Sequence, residues 1–249
     1  MAGLTGAIIA AGEGRRLREA GWTVPKPLVP VAGVPLMVSV IENFRAAGIE
    51  SLVVIVNERE RDCVGWARAR FPGLDLSFIV ETTASSLESF GRVLAASRGP
   101  GVLVSTVDAW CRAADFAAFV GAACRRPAGA TVLGVTELVA DEKPLWVTAA
   151  PDGRVTEIGG LFGTAVTAGV YLIPERVRRS APPTGFPRLR DYLTWLWRSG
   201  EPVYAEMIPD VVDVDRPDDV ALAEAMAARA RPAGREPGGP EPGGQEVVE

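Results

Sequence analysis

The chain has 249 residues, 48% apolar and 23% charged, with a formal net charge of −5; this suits one sizeable core and disfavours a general nucleic-acid binder, which needs clustered Lys and Arg. There is no histidine, which excludes Ser-His-Asp and Cys-His catalysis and histidine metal ligands. The three cysteines, Cys63, Cys111 and Cys124, are odd in number and have no C-x-x-C spacing, so a disulfide framework or a zinc site is not expected. 

The first 135 residues alternate between strand and helix patterns. Residues 7–11 (AIIAA) form an apolar run that stops at Gly12, as a buried strand entering a glycine loop does. Residues 35–47 place Leu36, Met37, Val40, Ile41 and Phe44 at helical spacing, with Pro35 in the first turn and Gly48 beyond the end. Residues 52–56 read as the next buried strand, 62–71 as a helix and 74–80 as a third strand. Residues 85–97 read as a helix with a Ser85 N-cap and Glu88 three positions on, a capping-box pattern. Then follow a strand at 102–107 ending at Asp108, a helix at 113–125 and a strand at 130–135. This rhythm predicts a largely parallel sheet with helices on both faces, and ligands at the carboxyl ends of its strands.

Later segments change character. Residues 146–149, 154–158 and 167–173 read as strands joined by short turns, including Pro151-Asp152-Gly153, and predict an antiparallel extension of the sheet. Residues 188–199 are helical with Leu189, Tyr192, Leu193 and Leu196 on one face. Short strands at 203–208 and 211–214 precede a closing helix at 217–229. From residue 231 the chain turns to Pro, Gly and Glu, a composition that predicts a disordered tail on a single domain of residues 1–230. No apolar run approaches the roughly 18 residues of a membrane span. No signal-peptide pattern is read at residues 1–6, and the expected compartment is the cytoplasm.

Four elements carry candidate chemistry. Gly12-Glu13-Gly14-Arg15-Arg16-Leu17 follows the first strand; glycines let a backbone approach phosphate and aim N–H groups at it. Leu17 breaks the G-x-G-x-x-G spacing, and no G-K-[ST] follows. A tight turn followed by solvated arginines is the plain alternative. Pro25-Lys26-Pro27-Leu28 places one lysine between two prolines, which should hold the backbone extended and aim the ammonium; a surface lysine is the alternative. Asp108, ending a central strand, can hold Mg²⁺ or simply start the turn before the next helix. In Asp213-Val214-Asp215-Arg216-Pro217-Asp218-Asp219, Asp213 and Asp215 lie on one side of an extended segment, and either can be a second metal ligand. Asp218 and Asp219 read as acids of a helix N-terminus. Trp22 is either a lid or a loop anchor, and Trp146 either lines a pocket or belongs to a strand.

Taken together, AIIAAGEGRRL and PKPLVPVAGVPL resemble the signature of the sugar-nucleotidyltransferase family, and the likeness extends through Asp108, Gly169-Val170-Tyr171 and the Val-Asp-Val-Asp-Arg-Pro-Asp-Asp run to about residue 230. The resemblance implies an α/β, three-layer, Rossmann-like fold with a mostly parallel sheet and an antiparallel extension, of the glycosyltransferase-A-like nucleotidyltransferase kind. It implies an enzyme that transfers NMP from an NTP to a sugar-1-phosphate or a related choline or polyol phosphate. By the same resemblance Ala10, Ala11, Gly12, Gly14, Arg15 and Ser86 bind the nucleotide, Arg16 and Lys26 are catalytic, and Gly169 lies against the acceptor. Asp108 with Asp215 holds Mg²⁺, and Asp213 competes for the second position. The sequence departs from the pattern at Arg15, where the family has Ser or Thr, and at Glu157-Ile158-Gly159-Gly160, where many members carry Glu-Lys-Pro. The acceptor and the base are left open.

The implied chemistry needs no histidine. A phosphate monoester, with a second pKa near 6, is already an anion, so the difficulty is charge repulsion rather than proton removal. Two rivals remain at this stage. A catalytically inactive nucleotide-binding module would not need the metal-type Asp108. A dinucleotide oxidoreductase would use Asn57-Glu58 at the second strand end for a ribose, but the broken glycine spacing opposes it.

Overall fold

The computed structural model describes residues 3–140, 142–180 and 185–229, so the tail expected from residue 231 lies outside the described residues. In chain order the elements are β1 (Thr5–Ala10), α1 (Arg15–Glu19), β2 (Pro30–Val31), β3 (Val34–Pro35), α2 (Leu36–Ala46), β4 (Ser51–Val56), α3 (Asp62–Arg70), β5 (Asp75–Val80), α4 (Ser86–Ala96), β6 (Gly101–Thr106), β7 (Ala109–Trp110), α5 (Ala113–Ala123), β8 (Thr131–Thr136), β9 (Trp146–Ala149), β10 (Val155–Ile158), β11 (Ala165–Pro174), α6 (Glu175–Arg179), α7 (Leu189–Arg198), β12 (Val203–Met207), β13 (Val212–Asp213) and α8 (Pro217–Arg229). 

The main sheet runs in the order β10-β9-β11-β6-β1-β4-β5, with β8 joined to β11 and β12 to β8. β6, β1, β4 and β5 are mutually parallel. The long strand β11 is antiparallel to both β6 and β8, so β8 is separated from the parallel block that its place in the sequence suggested. β12 then runs parallel to β8, which makes the extension mixed rather than purely antiparallel.

Period-two alternation feeds two cores. Ile8 and Ala10 of β1, with Leu52, Val54 and Val56 of β4, face a cluster shared with α2, α3, α5 and α8. Ala7, Ile9, Val53 and Ile55 face the opposite cluster, shared with α4, α6 and α7. Strands covered on both faces read as continuous apolar runs, as parallel strands do. Each fully buried Leu, Ile, Val or Phe contributes about 1.5–3 kcal/mol of transfer free energy. On the first face Phe44 meets Phe116 edge-on at 5.2 Å between ring centres, joining α2 to α5.

The cap expected for α4 forms with a shifted partner. The Ser85 hydroxyl accepts from the Glu88 N–H at 3.2 Å, while the Glu88 carboxylate accepts from the Ala84 N–H at 2.7 Å. No helix among the described residues is long and apolar enough to cross a membrane. Four strand ends open on one edge of the parallel block: Ala10, Val56, Val80 and Thr106. That edge carries the glycine loop and Asp108.

Candidate active site

The glycine loop leaves β1 at Ala10 and turns into the short helix α1 through Gly14, whose φ of 59° and ψ of 32° are left-handed. Two constraints demand glycine there: the backbone conformation, and the Lys26 Cβ, which would lie 2.9 Å from an added Cβ. Gly12 differs, because a Cβ there would meet nothing within 4 Å. The space above it is open. Ala10 and Ala11 bury their methyl groups in the two cores and present only backbone to the loop.

Lys26 is not held in an extended segment. Pro25 is extended, but Lys26–Leu28 forms one 3₁₀ turn, closed by Leu28 N–H to the Pro25 carbonyl at 2.8 Å and Val29 N–H to the Lys26 carbonyl at 3.1 Å. Pro27 fits because the first turn of a helix has no use for its missing N–H. The turn buries the lysine, leaving 6% of its side chain exposed. Its Nζ lies 2.6 Å from Asp108 Oδ2 and also bonds Asp215 Oδ1. Arg16 Nη1 reaches Asp215 Oδ2 at 3.1 Å. Burial alone would lower the Lys26 pKa, but the fields of Asp108, Asp215 and Asp213 raise it above its ordinary value. Burial likewise pushes the Asp108 carboxyl up, but the Lys26 ammonium and the Thr106 hydroxyl hold it below the usual carboxylate range.

The carboxylates meet through a second, very short ladder. β13 pairs antiparallel with β7, Val212 opposite Trp110 and Asp213 opposite Ala109, and the Val214 N–H donates to the Asp108 carbonyl at 3.0 Å. Asp219 accepts from the N–H groups of Asp215 and Arg216 at 2.9 and 2.8 Å, which fixes the turn carrying Asp215 and caps α8. Asp108, Asp213 and Asp215 each offer an oxygen, all within 4.8 Å of one another. This hard, all-oxygen donor set fits a divalent cation such as Mg²⁺. Both aspartates proposed for the second position are present.

A cleft of about 240 Å³ opens beside this cluster. Asp108, Asp213, Ser86 and Gly169 line it, as do Tyr171 of β11 and Arg190 of α7. Gly169 is left-handed, and an added Cβ would lie 2.6 Å from the Thr106 hydroxyl. The Ser86 hydroxyl accepts from the Leu189 N–H at 3.2 Å, tying α4 to α7. Burial pushes the Tyr171 phenol up to about 12. A second hollow of about 160 Å³, on the side of Arg18, Arg59 and Glu60, also reaches Lys26.

Gly14, Arg16, Lys26, Asp108, Asp213 and Asp215 thus converge, with Gly12 two positions before Gly14 in the same loop. Arg15 does not join them: its side chain is 76% exposed and pairs with Glu19 along α1. Trp22 packs against the core beneath the loop, which is the anchoring role. Trp146 pairs within the sheet opposite Val166. Asn57, considered for a ribose, is buried and structural: it donates to the Ala11 carbonyl at 3.4 Å and accepts from the Arg59 N–H at 3.0 Å. Sequence reasoning missed Thr106, Arg190 and Glu60, and gave Tyr171 no role beyond its place in the Gly169-Val170-Tyr171 strand. Glu60 lines the second hollow with Lys26, and burial pushes its carboxyl above the ordinary value. Only Thr106 had a usable signal, two positions before Asp108 at the same strand end.

Residues 6–160 match the family described as the MobA-like NTP transferase domain. The bifunctional IPC transferase and DIPP synthase of Rubrobacter xylanophilus is 30% identical over 241 residues, covering 90% of this chain and 52% of that protein. A mannose-1-phosphate guanyltransferase of Gibberella zeae is 36% identical over 104 residues, covering 39% of this chain and 28% of that protein. The chain therefore spans about half, or less, of the length of these curated relatives. Among solved structures, the inositol-1-phosphate CTP transferase from T. maritima superposes with a TM-score of 0.76 at 20% identity, covering 90% of this chain and 94% of that one; it shares the fold.

Proposed function

The chain belongs to the MobA-like NTP transferase family, and from that premise we propose that it transfers a nucleoside monophosphate from an NTP to a small phosphate monoester, releasing pyrophosphate. The observation that carries this reading is the meeting of Lys26, Asp108 and Asp215 in one ion-pair cluster beside the glycine turn. The named relatives act on phosphate esters such as mannose 1-phosphate and inositol 1-phosphate, and the reading takes an acceptor of that kind. It also treats residues 1–230 as one nucleotidyltransferase domain.

An oxygen of the acceptor phosphate attacks the α-phosphorus of the NTP. The new O–P bond forms as the bond to the β-phosphate oxygen breaks, and that oxygen leaves with pyrophosphate. The attacking oxygen is already ionised, so no side chain needs to remove a proton. The residues supply position and charge instead. Backbone N–H groups of the Gly12–Gly14 turn receive the triphosphate, Arg16 draws its outer charge, and Lys26 faces the reacting phosphorus. Two unit charges about 4 Å apart at an effective dielectric near 20 interact by roughly 4 kcal/mol. A divalent cation such as Mg²⁺, held by Asp108, Asp215 and Asp213, would add Lewis-acid charge at the same point.

The test is pyrophosphate release across four NTPs and a panel of sugar-1-phosphates, inositol phosphate and phosphocholine. Asp108→Ala should lower release by at least about three orders of magnitude, roughly 4 kcal/mol of barrier, with an unchanged circular dichroism spectrum. Wild-type turnover in that variant would remove the metal assignment. NTP binding without release in any combination would leave a nucleotide-binding module instead.

A further inference from the structure

The cleft beside Asp108 has a charge pattern that bears on its acceptor. Five lining residues carry hydroxyls: Ser86, Thr106, Thr136, Thr167 and Tyr171. Two carboxylates, Asp108 and Asp213, come from the side of β6 and β13, where Lys26 sits. From α7 comes Arg190, the one Lys or Arg among the described residues that line the cleft. Its Nη1 donates to the Lys143 carbonyl, which orients the guanidinium on the cleft wall. Arg190, Asp108 and Asp213 all act on the Tyr171 hydroxyl, the arginine with the opposite sign to the aspartates. One cavity therefore feels both ends.

The reaction holds the acceptor's phosphate at the Lys26 end, so the rest of the acceptor extends along the hydroxyl-bearing wall toward α7. A guanidinium presents N–H donors in a rigid fork and accepts nothing. It suits neighbouring hydroxyls of a polyol and repels a cation. Recognition of a quaternary ammonium commonly uses several aromatic faces, and Tyr171 is the only aromatic residue among those lining this cleft.

We propose that Arg190 selects the acceptor, taking the hydroxyl-bearing end of a sugar or cyclitol phosphate and rejecting alcohol phosphates with a cationic head such as phosphocholine. The inference rests on the nucleotidyl-transfer reading above. It is tested with the full chain, Mg²⁺ and saturating NTP, comparing glucose 1-phosphate, mannose 1-phosphate, myo-inositol 1-phosphate and phosphocholine. The wild type should use at least one polyol phosphate with kcat/KM well above that for phosphocholine. Arg190→Gln should raise the KM for that polyol phosphate by about ten- to a hundredfold, the loss of bonds from a charged donor. The NTP KM should stay within about twofold, and the gap to phosphocholine should narrow. A preference for phosphocholine, or an unchanged polyol KM in the variant, overturns the assignment. If no pair releases pyrophosphate, the transfer reading itself fails. Calorimetric titration of the same polyol phosphates then decides Arg190 independently: weaker binding by the variant supports it, and equal or undetectable binding by both proteins overturns it.

Discussion

Lys26 is a buried cation whose neighbours are also the residues best suited to hold a metal. Its ammonium bonds Asp108 and Asp215, so the lysine neutralises the carboxylates in the metal-free protein. Breaking a buried pair by removing one partner costs about 3–5 kcal/mol, the lower end applying to a pair still partly open to solvent. Lys26→Met should therefore lower Tm in EDTA. Added Mg²⁺ should restore more of it than in the wild type, where the metal must compete with the ammonium. Melts of both proteins with and without Mg²⁺ check this; equal stability in EDTA would show that the lysine is not what neutralises the cluster. At this scale the sequence exposed the residues whose chemistry is local: the Gly12–Gly14 turn, Arg16, Lys26, Asp108 and Asp215. Arg190 stayed hidden, and Tyr171 without a role, because β6, β11 and α7 meet only at one cavity. Arg15 shows the converse, a charge beside the right motif that α1 turns toward solvent.

β11 is the element that shapes the cleft. Its register against β8 shifts between Thr167 and Tyr171, and Gly169 within that shift has a φ of 72°. A side chain there would suffer left-handed backbone strain, about 1–3 kcal/mol, and would collide with Thr106, whose hydroxyl supports Asp108. Gly169→Ala should lower the unfolding free energy from urea titration by an amount in that range, with a lower urea midpoint, and should lower pyrophosphate release by more than that loss of stability accounts for. An unchanged midpoint and rate would mean that the strand relaxes without disturbing Thr106. The long helices and core strands were legible because apolar periodicity needs several turns or alternations to register. β7 has two residues and offers no period to detect, while the strand read at 211–214 shortens to the two residues of β13. The turn at Lys26 was misread because two prolines favour extended backbone locally, whereas the hydrogen bonds at Leu28 and Val29 complete a helical turn.

Across the molecule, burial shifts several groups in one direction. The thiols of Cys63 and Cys111 rise from 9.0 to about 11 and about 12, and the Tyr171 phenol from 10.0 to about 12. Above pH 9 the unfolded chain ionises these groups first and binds fewer protons than the folded one, so stability falls as pH rises toward 12. Lys26, with its raised pKa, acts with the same sign above 10.5. Urea unfolding at pH 8, 10 and 11 should give a steady decline, and a flat or rising curve would contradict the burial of these groups. Cys124 is exposed while Cys63 and Cys111 are buried, so a thiol reagent at pH 8 should label one site quickly and the other two only on unfolding.

The β7–β13 ladder joins segments about a hundred positions apart, and it sets Asp215 against Lys26, 189 positions earlier. A polypeptide emerging from the ribosome presents its glycine turn, lysine and first carboxylate long before the acidic residues that complete the cradle. Until β13 docks on β7, a nascent chain has nothing with which to gather the remaining negative charge around that lysine. The acidic cradle is thus complete only once residues 212–215 have been made and have docked.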